Sequence, residues 1–284
     1  MKSSLFISGA TGGLGSAFAA ECAGRGFDLF LTDLRPEGEA FAHFLADKYN
    51  VDVQYRACDL TSPHARAELY DFVKVSPYRF WGLINVAGTD YEGAFLERSR
   101  QQILQILRLN VESTLDTTFS ILRLRDQERR FRLINVCSLA AYFPMPYKAV
   151  YAASKRFLFD FSLALGEEIR PFGTVTALCP GGLPTTPETM RAIFAQGFWG
   201  LATTMDTRVV ARRTVDQALK GKPVYIPGVV NRLVHGLGSL APMSLAASFV
   251  GKRWKAVQND PDVWPQRLSL EDLSINNASS CGES

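Results

Sequence analysis

Short apolar segments alternate along this chain with longer segments in which apolar positions recur at helical spacing. The short segments predict strands at Leu5–Ser8, Phe27–Thr32, Val51–Ala57, Gly82–Val86, Arg132–Cys137, Thr174–Cys179 and Pro223–Ile226. The longer segments predict helices at Gly13–Arg25, Gly38–Tyr49, Pro63–Val75, Ser99–Arg123 and Val150–Arg170. This alternation is typical of an α/β protein, and we predict a doubly wound parallel sheet of about seven strands with helices on both faces.

The alternation ends near Ile226, and the composition changes after that point. We therefore predict one doubly wound domain over residues 1–228, a C-terminal apolar helical extension of the same domain over residues 229–256, and a polar tail over residues 257–284. Within the domain, residues 187–206 interrupt the rhythm and are rich in methionine and aromatic side chains.

Composition indicates a soluble protein with a substantial core. The 284 residues are 47% hydrophobic and carry a net charge of only +3, so composition gives no argument for a nucleic-acid partner. The first apolar run is too short for a signal peptide, and no segment has the roughly 18 uninterrupted apolar residues of a membrane span. The five cysteines form no C-x-x-C pair, so we expect no metal site and a cytoplasmic location.

A tyrosine and a lysine lie four residues apart in one predicted helix. This spacing places the phenol of Tyr151 beside the ammonium of Lys155, and a nearby cation lowers the pKa of a phenol from its usual value of about 10. A tyrosine of lowered pKa exchanges a proton with an alcohol or ketone near neutral pH. Ser138, thirteen residues before Tyr151 and directly after a predicted strand, is a further candidate at the same sheet edge.

The glycine-rich turn after the first strand is suited to bind a dinucleotide. Its glycines let the backbone approach a pyrophosphate, and the helix that follows supplies N–H groups; the candidate residues are Gly9, Thr11, Gly12, Gly13, Leu14 and Gly15. Asp33 ends the second strand, where a carboxylate accepts hydrogen bonds from the adenosine ribose and repels a 2′-phosphate. Arg35 could pair with that phosphate, but Asp33 favours NAD over NADP as the cofactor.

Together, these residues resemble the short-chain dehydrogenase/reductase superfamily, a family of single-domain Rossmann-fold oxidoreductases that includes hydroxysteroid dehydrogenases. The resemblance covers about residues 3–228, and the glycine turn is similar to the family's T-G-x-x-x-G-x-G element with Ser8 in place of threonine. Ser138, Tyr151 and Lys155 match its S…Y-x-x-x-K core, and Asn110 matches a catalytic asparagine. The further cofactor-binding residues that the resemblance implies, besides Tyr151 and Lys155, are Asp59, Leu60, Asn85, Ala87, Gly88, Pro180, Gly181, Leu183 and Thr185.

The resemblance implies an NAD(P)-dependent enzyme that transfers a hydride between a nicotinamide and a carbonyl carbon. Tyr151 would exchange the proton, and Lys155 would lower the Tyr151 pKa and bind the nicotinamide ribose. Ser138 would bind the carbonyl oxygen, and Asn110 would anchor a water molecule that connects Lys155 with solvent. Val86 stands where the family has a second asparagine, so the centre of the sheet must be held in another way.

The candidate substrate residues are mainly apolar. Besides Ser138 and Tyr151 they are Ala140, Phe143, Met190 and Phe194, with Ile193, Phe198 and Trp199 beside them. An apolar pocket favours a lipophilic secondary alcohol or ketone, with a hydroxysteroid, including bile acids, as the leading class and a 3-oxoacyl or other long-chain carbonyl as the alternative. A role of these residues in packing a loop or a subunit contact stays open.

Residues 228–255 combine apolar with basic positions. Such a segment more often covers the substrate cleft or forms a dimer contact than rests on a membrane surface. The resemblance also implies a homodimer or homotetramer that pairs the helices Ser99–Arg123 and Val150–Arg170. Two other classes stay open: a dinucleotide-binding regulator without turnover, and a sugar-nucleotide epimerase, for which the C-terminal part is short.

Overall fold

Among residues 2–195, 197–238 and 242–258, which the computed structural model describes, seven parallel strands form one sheet. The strands are β1 (Lys2–Ser8), β2 (Leu29–Asp33), β3 (Val53–Ala57), β4 (Tyr78–Asn85), β5 (Phe131–Val136), β6 (Gly173–Leu178) and β7 (Val224–Tyr225). Their order in the sheet is β3-β2-β1-β4-β5-β6-β7. The predicted seven-stranded parallel sheet is confirmed.

Helices cover both faces of the sheet, as predicted. The described helices are α1 (Gly13–Gly24), α2 (Gly38–Tyr49), α3 (Pro63–Val75), α4 (Arg100–Leu107), α5 (Ser113–Arg123), α6 (Ala149–Glu168), α7 (Pro187–Ala195), α8 (Gly197–Thr203), α9 (Thr207–Leu219), α10 (Val229–Gly238) and α11 (Met243–Gln258). Alternate residues of β1 point to opposite faces: Leu5 and Ile7 pack with α1, α2 and α9, whereas Phe6 packs with α3 and α5. Burial on both faces explains why the strands are continuous apolar runs.

The predicted long helix over Ser99–Arg123 is interrupted. One turn of π-helix, Arg108–Glu112, separates α4 from α5. A π turn inside a helix is often found at a functional site, and this one contains Asn110.

Hydrogen bonds of buried side-chain amides hold the centre of the sheet together, in place of the asparagine that the family has at the position of Val86. The Asn85 Nδ2 donates to Asn135 Oδ1 on the neighbouring strand at 2.9 Å and to Thr118 Oγ1 at 3.0 Å. Asn135 Nδ2 donates in turn to Ser162 Oγ at 2.9 Å. These bonds join β4, β5, α5 and α6 although position 86 is a valine.

The strand order reverses between β1 and β4, so their carboxyl ends diverge and leave a crevice. After β7, the chain forms α10 and α11 within the predicted C-terminal extension. Helix α11 continues to Gln258, two residues into the predicted polar tail, and residues 259–284 of that tail lie outside the described residues. In the part of the chain that the structure describes, no helix has both the length and the apolarity to traverse a lipid bilayer.

Candidate active site

A cleft of about 1350 Å³ opens at the carboxyl edge of the sheet. It is lined by loops that follow the strands, by α6 and by the C-terminal helices. The predicted site residues that line it are Gly9, Thr11, Gly12, Gly13, Leu14, Gly15, Asp33, Arg35, Asp59, Leu60, Ala87, Gly88, Ser138, Ala140, Phe143, Tyr151, Lys155, Pro180, Gly181, Leu183 and Thr185. Asn85, Asn110, Met190 and Phe194 are not among its lining residues.

The glycine turn has the geometry of a phosphate cradle. Gly9 adopts φ +68°, and a Cβ on Gly15 would lie 1.8 Å from the Gly9 carbonyl oxygen, so only glycine fits at position 15. The N-cap residue of α1 is Gly12, which has no side chain that could accept a hydrogen bond. The first N–H groups of this helix therefore face the cleft without a capping partner. Because unpartnered N–H groups at a helix N-terminus bind anions, the turn fits a dinucleotide pyrophosphate.

Asp33 is held over the same turn by two backbone N–H groups. Its Oδ2 accepts from the Thr11 N–H at 2.9 Å, and its Oδ1 accepts from the Leu34 N–H at 2.7 Å. One carboxylate therefore joins the end of β2 to the phosphate turn. Farther along the edge, Asp59 Oδ1 accepts from the Thr61 N–H at 2.9 Å, and Leu60 is buried beneath it.

Helix α6 and the end of β5 bring three side chains together on the cleft floor. Lys155 Nζ is buried, donates to the Val136 carbonyl oxygen at 2.8 Å, and lies 5.7 Å from the centroid of the Tyr151 ring. The Ser138 hydroxyl accepts from the Ala140 N–H at 3.1 Å and is hydrogen-bonded to the Tyr151 side chain. The structure thus joins Ser138, Tyr151 and Lys155 in one place.

The pKa of Tyr151 is shifted in the direction opposite to the one predicted. Burial raises its pKa above the ordinary value and the carboxylate of Asp90 raises it further, whereas Lys148 and the hydrogen bond with Ser138 lower it. Lys148, rather than Lys155, is the main cation that opposes the effect of burial. Burial also lowers the pKa of the Lys155 ammonium. The prediction that Lys155 draws the Tyr151 pKa toward neutrality therefore needs correction, since desolvation outweighs it here.

Asn110 lies behind the cleft wall rather than in it. Its side chain is fully buried, accepts from the Thr89 N–H at 2.8 Å, and donates to the Thr89 carbonyl oxygen at 3.0 Å and to Ser154 Oγ at 3.1 Å. A Cβ on Gly88 would lie 3.2 Å from Asn110 Oδ1 and 3.4 Å from Lys155 Nζ, so both polar groups flank Gly88. Asn110 positions the loop after β4 through direct contacts.

Sequence reasoning missed a charged cluster next to Tyr151. Lys148 Nζ forms ion pairs with Asp90 Oδ2 at 2.7 Å and with Glu92 Oε2 at 2.9 Å, and all three residues line the cleft. The same Nζ lies 5.7 Å from the centroid of the Tyr151 ring and 5.6 Å from that of Trp254. Although burial lowers the pKa of Lys148, its two acidic partners raise it well above the ordinary value. The sequence signal that could have revealed this cluster is the spacing of three residues between Lys148 and Tyr151, which places the two side chains near each other on a helix.

The rotation of α7 decides which of its residues line the cleft. Thr189 and Ile193, four residues apart, line it, whereas Met190 and Phe194 are exposed on another face of the helix. The structure therefore does not bring these two predicted substrate residues to the site. Phe198 is exposed as well, and the Trp199 side chain lies outside the described part.

Two further walls come from elsewhere in the chain. The predicted Ala140 and Phe143 line one side, and Val250 and Trp254 of α11 line another. The inward face of the C-terminal extension therefore covers part of the cleft, which was one of the alternatives predicted for this segment. The predicted cofactor residue Asn85 is turned into the sheet, where its amide bonds Asn135 as described above.

Comparisons with known proteins agree with this geometry. The family model for short chain dehydrogenases matches residues 4–193. A very-long-chain 3-oxoacyl-CoA reductase from Laccaria bicolor is 31% identical over 168 residues, which are 58% of this chain and 49% of that protein. The chain thus spans about half the length of this curated relative.

Solved structures show the same fold. A short-chain dehydrogenase from Sphingobium yanoikuyae in complex with NADPH has a TM-score of 0.70 at 23% identity, over 88% of this chain and 100% of that one. A bulky-bulky ketone specific alcohol dehydrogenase from Comamonas testosteroni has a TM-score of 0.69 at 22% identity, over 88% and 98% of the two chains. With the family model covering most of the chain and a dinucleotide cradle beside the Ser138, Tyr151 and Lys155 side chains, the protein belongs to the short-chain dehydrogenase family of NAD(P)-dependent oxidoreductases.

Proposed function

We propose that this protein reduces the ketone of a long-chain lipophilic substrate, with a 3-oxoacyl thioester as the leading class. The observation that carries the proposal is the convergence of Ser138, Tyr151 and Lys155 on the floor of a large cleft whose walls include apolar side chains. The 31%-identical relative is named a very-long-chain 3-oxoacyl-CoA reductase, which supports a long acyl chain over a small polar substrate.

The residues divide the work of the reaction. When bound, the nicotinamide dinucleotide supplies or accepts the hydride. Ser138 would hydrogen-bond the substrate carbonyl oxygen and stabilise the charge that develops on it, while Tyr151 would transfer its hydroxyl proton to that oxygen. Lys155, anchored on the Val136 carbonyl oxygen, would bind the ribose next to the nicotinamide, and Asn110 would keep the loop after β4 in place.

For the cofactor, we propose NAD. The carboxylate of Asp33 lines the cleft at the end of β2, where it would bind the ribose hydroxyls and repel a 2′-phosphate. Solved neighbours such as the Sphingobium yanoikuyae and Gluconobacter frateurii enzymes hold NADPH, but at 23% and 19% identity they support the fold and not the choice of cofactor. The residues that would hold the dinucleotide are the glycine turn, Asp33, Asp59 with Leu60, and Thr185.

A hydroxysteroid substrate, which the apolar residues of the sequence favour, stays a prediction and is one arm of the test. The purified protein would be assayed with NADH and NADPH against 3-oxoacyl thioesters of increasing chain length, oxosteroids and small keto sugars. We expect the highest kcat/KM for the longer 3-oxoacyl thioesters. Preference for oxosteroids would instead support the hydroxysteroid class, and preference for the sugars would contradict a lipophilic substrate altogether.

The Tyr151→Phe variant tests the catalytic assignment. Loss of the hydroxyl is expected to lower kcat by about 10²–10⁴-fold with little change in cofactor affinity, because the phenol acts on the substrate oxygen. Tyr142→Phe is the matched control, since the Tyr142 hydroxyl bonds Cys179 Sγ at 3.5 Å. Equal turnover by Tyr151→Phe and the parent protein would contradict the proposed role.

We also propose a homo-oligomer built on α5 and α6. Phe119 on α5 and Phe157 on α6 are large apolar side chains exposed on these helices. Light scattering after gel filtration would measure the mass, and Phe119→Glu should reduce it to that of a monomer. A monomeric parent protein would contradict this assembly.

A further inference from the structure

The helices around the mouth of the cleft have apolar outward faces. Leu233 of α10 is 60% exposed and Phe249 of α11 is 71% exposed. We define the apolar rim as these two residues with the similarly exposed Phe198, Val229 and Leu245. Exposed apolar side chains in one area of a protein mark a surface that contacts a partner.

The rim residues belong to helices that also line the cleft, since Gly200 of α8, Val234 of α10 and Val250 of α11 are lining residues. Leu245 and Phe249 line the cleft and are at the same time exposed to solvent, so they stand at its edge. Val250 and Trp254 of α11 also line the cleft, and the Trp254 side chain is buried. Helix α11 thus has one face that packs on the protein and another that does not.

The charge of the same segment identifies its partner. Residues 229–258 contain the basic residues Arg232, Lys252, Arg253 and Lys255 and no aspartate or glutamate. Lys252 is exposed and follows Phe249 by three residues, so the ammonium lies on the same face of α11 as the apolar side chain. A face that is both apolar and basic complements anionic lipid headgroups above acyl chains.

We propose that the apolar rim docks this protein on an anionic membrane surface, with the mouth of the cleft facing the bilayer. A second copy of the chain is the less suitable occupant, because pairing two such segments would bring basic side chains together without acidic partners. The docking itself does not depend on the reaction. Docking would let a substrate dissolved in the membrane reach Tyr151 without crossing water. This benefit rests on the proposed function.

Vesicle flotation tests the proposal with the full chain. We expect the protein to float with phosphatidylcholine vesicles that contain phosphatidylglycerol, to float less with phosphatidylcholine alone, and to be released as salt is raised. Leu233→Glu and Lys252→Glu should each weaken binding by at least about tenfold, since one removes apolar contact and the other reverses a charge. Neither residue lines the cleft, so turnover of a water-soluble ketone should be unchanged.

Val75→Glu and Lys74→Glu are the matched controls. Both residues are exposed at the end of α3, near the amino edge of the sheet and far from the cleft mouth, and both variants should float like the parent protein. Absence of flotation with either vesicle, or equal losses in the control variants, would overturn the proposal. So would a halved mass of Leu233→Glu without vesicles, which would assign the rim to a second copy. Flotation without turnover of any ketone would leave the docking supported and refute the proposed function.

Discussion

The ammonium of Lys148 lies as close to the Tyr151 ring as that of Lys155, with 5.7 Å between the Nζ and the ring centroid in both cases. The two lysines are not equivalent, however. Lys155 donates to the Val136 carbonyl oxygen, whereas Lys148 is ion-paired with Asp90 and Glu92 and also lies 5.6 Å from the centroid of the Trp254 ring. We therefore expect Lys148 to tune the charge of the tyrosine.

Replacing Lys148 with methionine should raise the Tyr151 pKa. The variant removes the cation that most lowers the pKa of the phenol, and the Asp90 carboxylate, which raises that pKa, is then no longer ion-paired with Lys148. Because alcohol oxidation requires the deprotonated tyrosine, the rise of oxidation rate with pH should move to higher pH. The pH profile of kcat/KM for oxidation checks this shift.

The Asp90→Asn variant should have the opposite effect. Its carboxylate raises the Tyr151 pKa, so removing the negative charge should move the oxidation profile to lower pH. A purely structural role of the cluster would lower activity in both variants without moving the profiles in opposite directions. That outcome would contradict the charge-tuning role of Lys148.

The Asn110→Ala variant should lower stability as well as activity. It removes the two hydrogen bonds that hold the half-buried backbone of Thr89 and the buried bond to Ser154 Oγ, and each lost bond costs about 0.5–1.5 kcal/mol of unfolding free energy. Urea unfolding measures this loss. Thr61→Ala offers a control, because its hydroxyl bond to Asp59 is exposed and its loss should cost little. Unchanged stability of Asn110→Ala would contradict the role of this side chain in holding the loop.

Asp33→Ala should change cofactor preference. Without the carboxylate at the end of β2, a 2′-phosphate is no longer repelled and Arg35 is left beside it, so the kcat/KM ratio of NADH to NADPH should fall by about tenfold or more. Asp59→Ala should change both cofactors alike. An unchanged ratio in Asp33→Ala would show that Asp33 does not select the cofactor.

Two glycine-to-alanine variants should change stability in opposite directions. Gly15→Ala places a Cβ 1.8 Å from the Gly9 carbonyl oxygen, so the phosphate turn must distort and the midpoint of thermal unfolding should fall. Gly166→Ala in α6 meets only Val175 at 3.6 Å, an ordinary contact, and alanine should stabilise the helix by up to about 1 kcal/mol. A rise in the midpoint for Gly15→Ala would contradict the close packing of the turn.

Local sequence signals at helix ends predicted the first and last residues of two helices. Helix α3 begins at Pro63 after a Ser62 cap that accepts from the Ala65 N–H, and α2 ends before Asn50 in a left-handed conformation, so both predicted helices have the observed ends. The break inside Ser99–Arg123 had no such signal. It coincides with hydrogen bonds from Asn110 to Thr89, which lies 21 residues earlier in the chain.

For the site, the sequence predicted which reactive groups are available and that strand ends and one helix deliver them to a common edge. It could do so because the spacing of Tyr151 and Lys155 and the turn after β1 are local properties. The charges around Tyr151 and the residues that form the cleft walls depend instead on how distant segments pack together. The rotation of α7 turned Ile193 inward and Phe194 outward, and Trp254 reached Lys148 from more than a hundred residues away. Electrostatic and packing energies depend on distance through space, and that distance is set by how the helices pack and not by position along the chain.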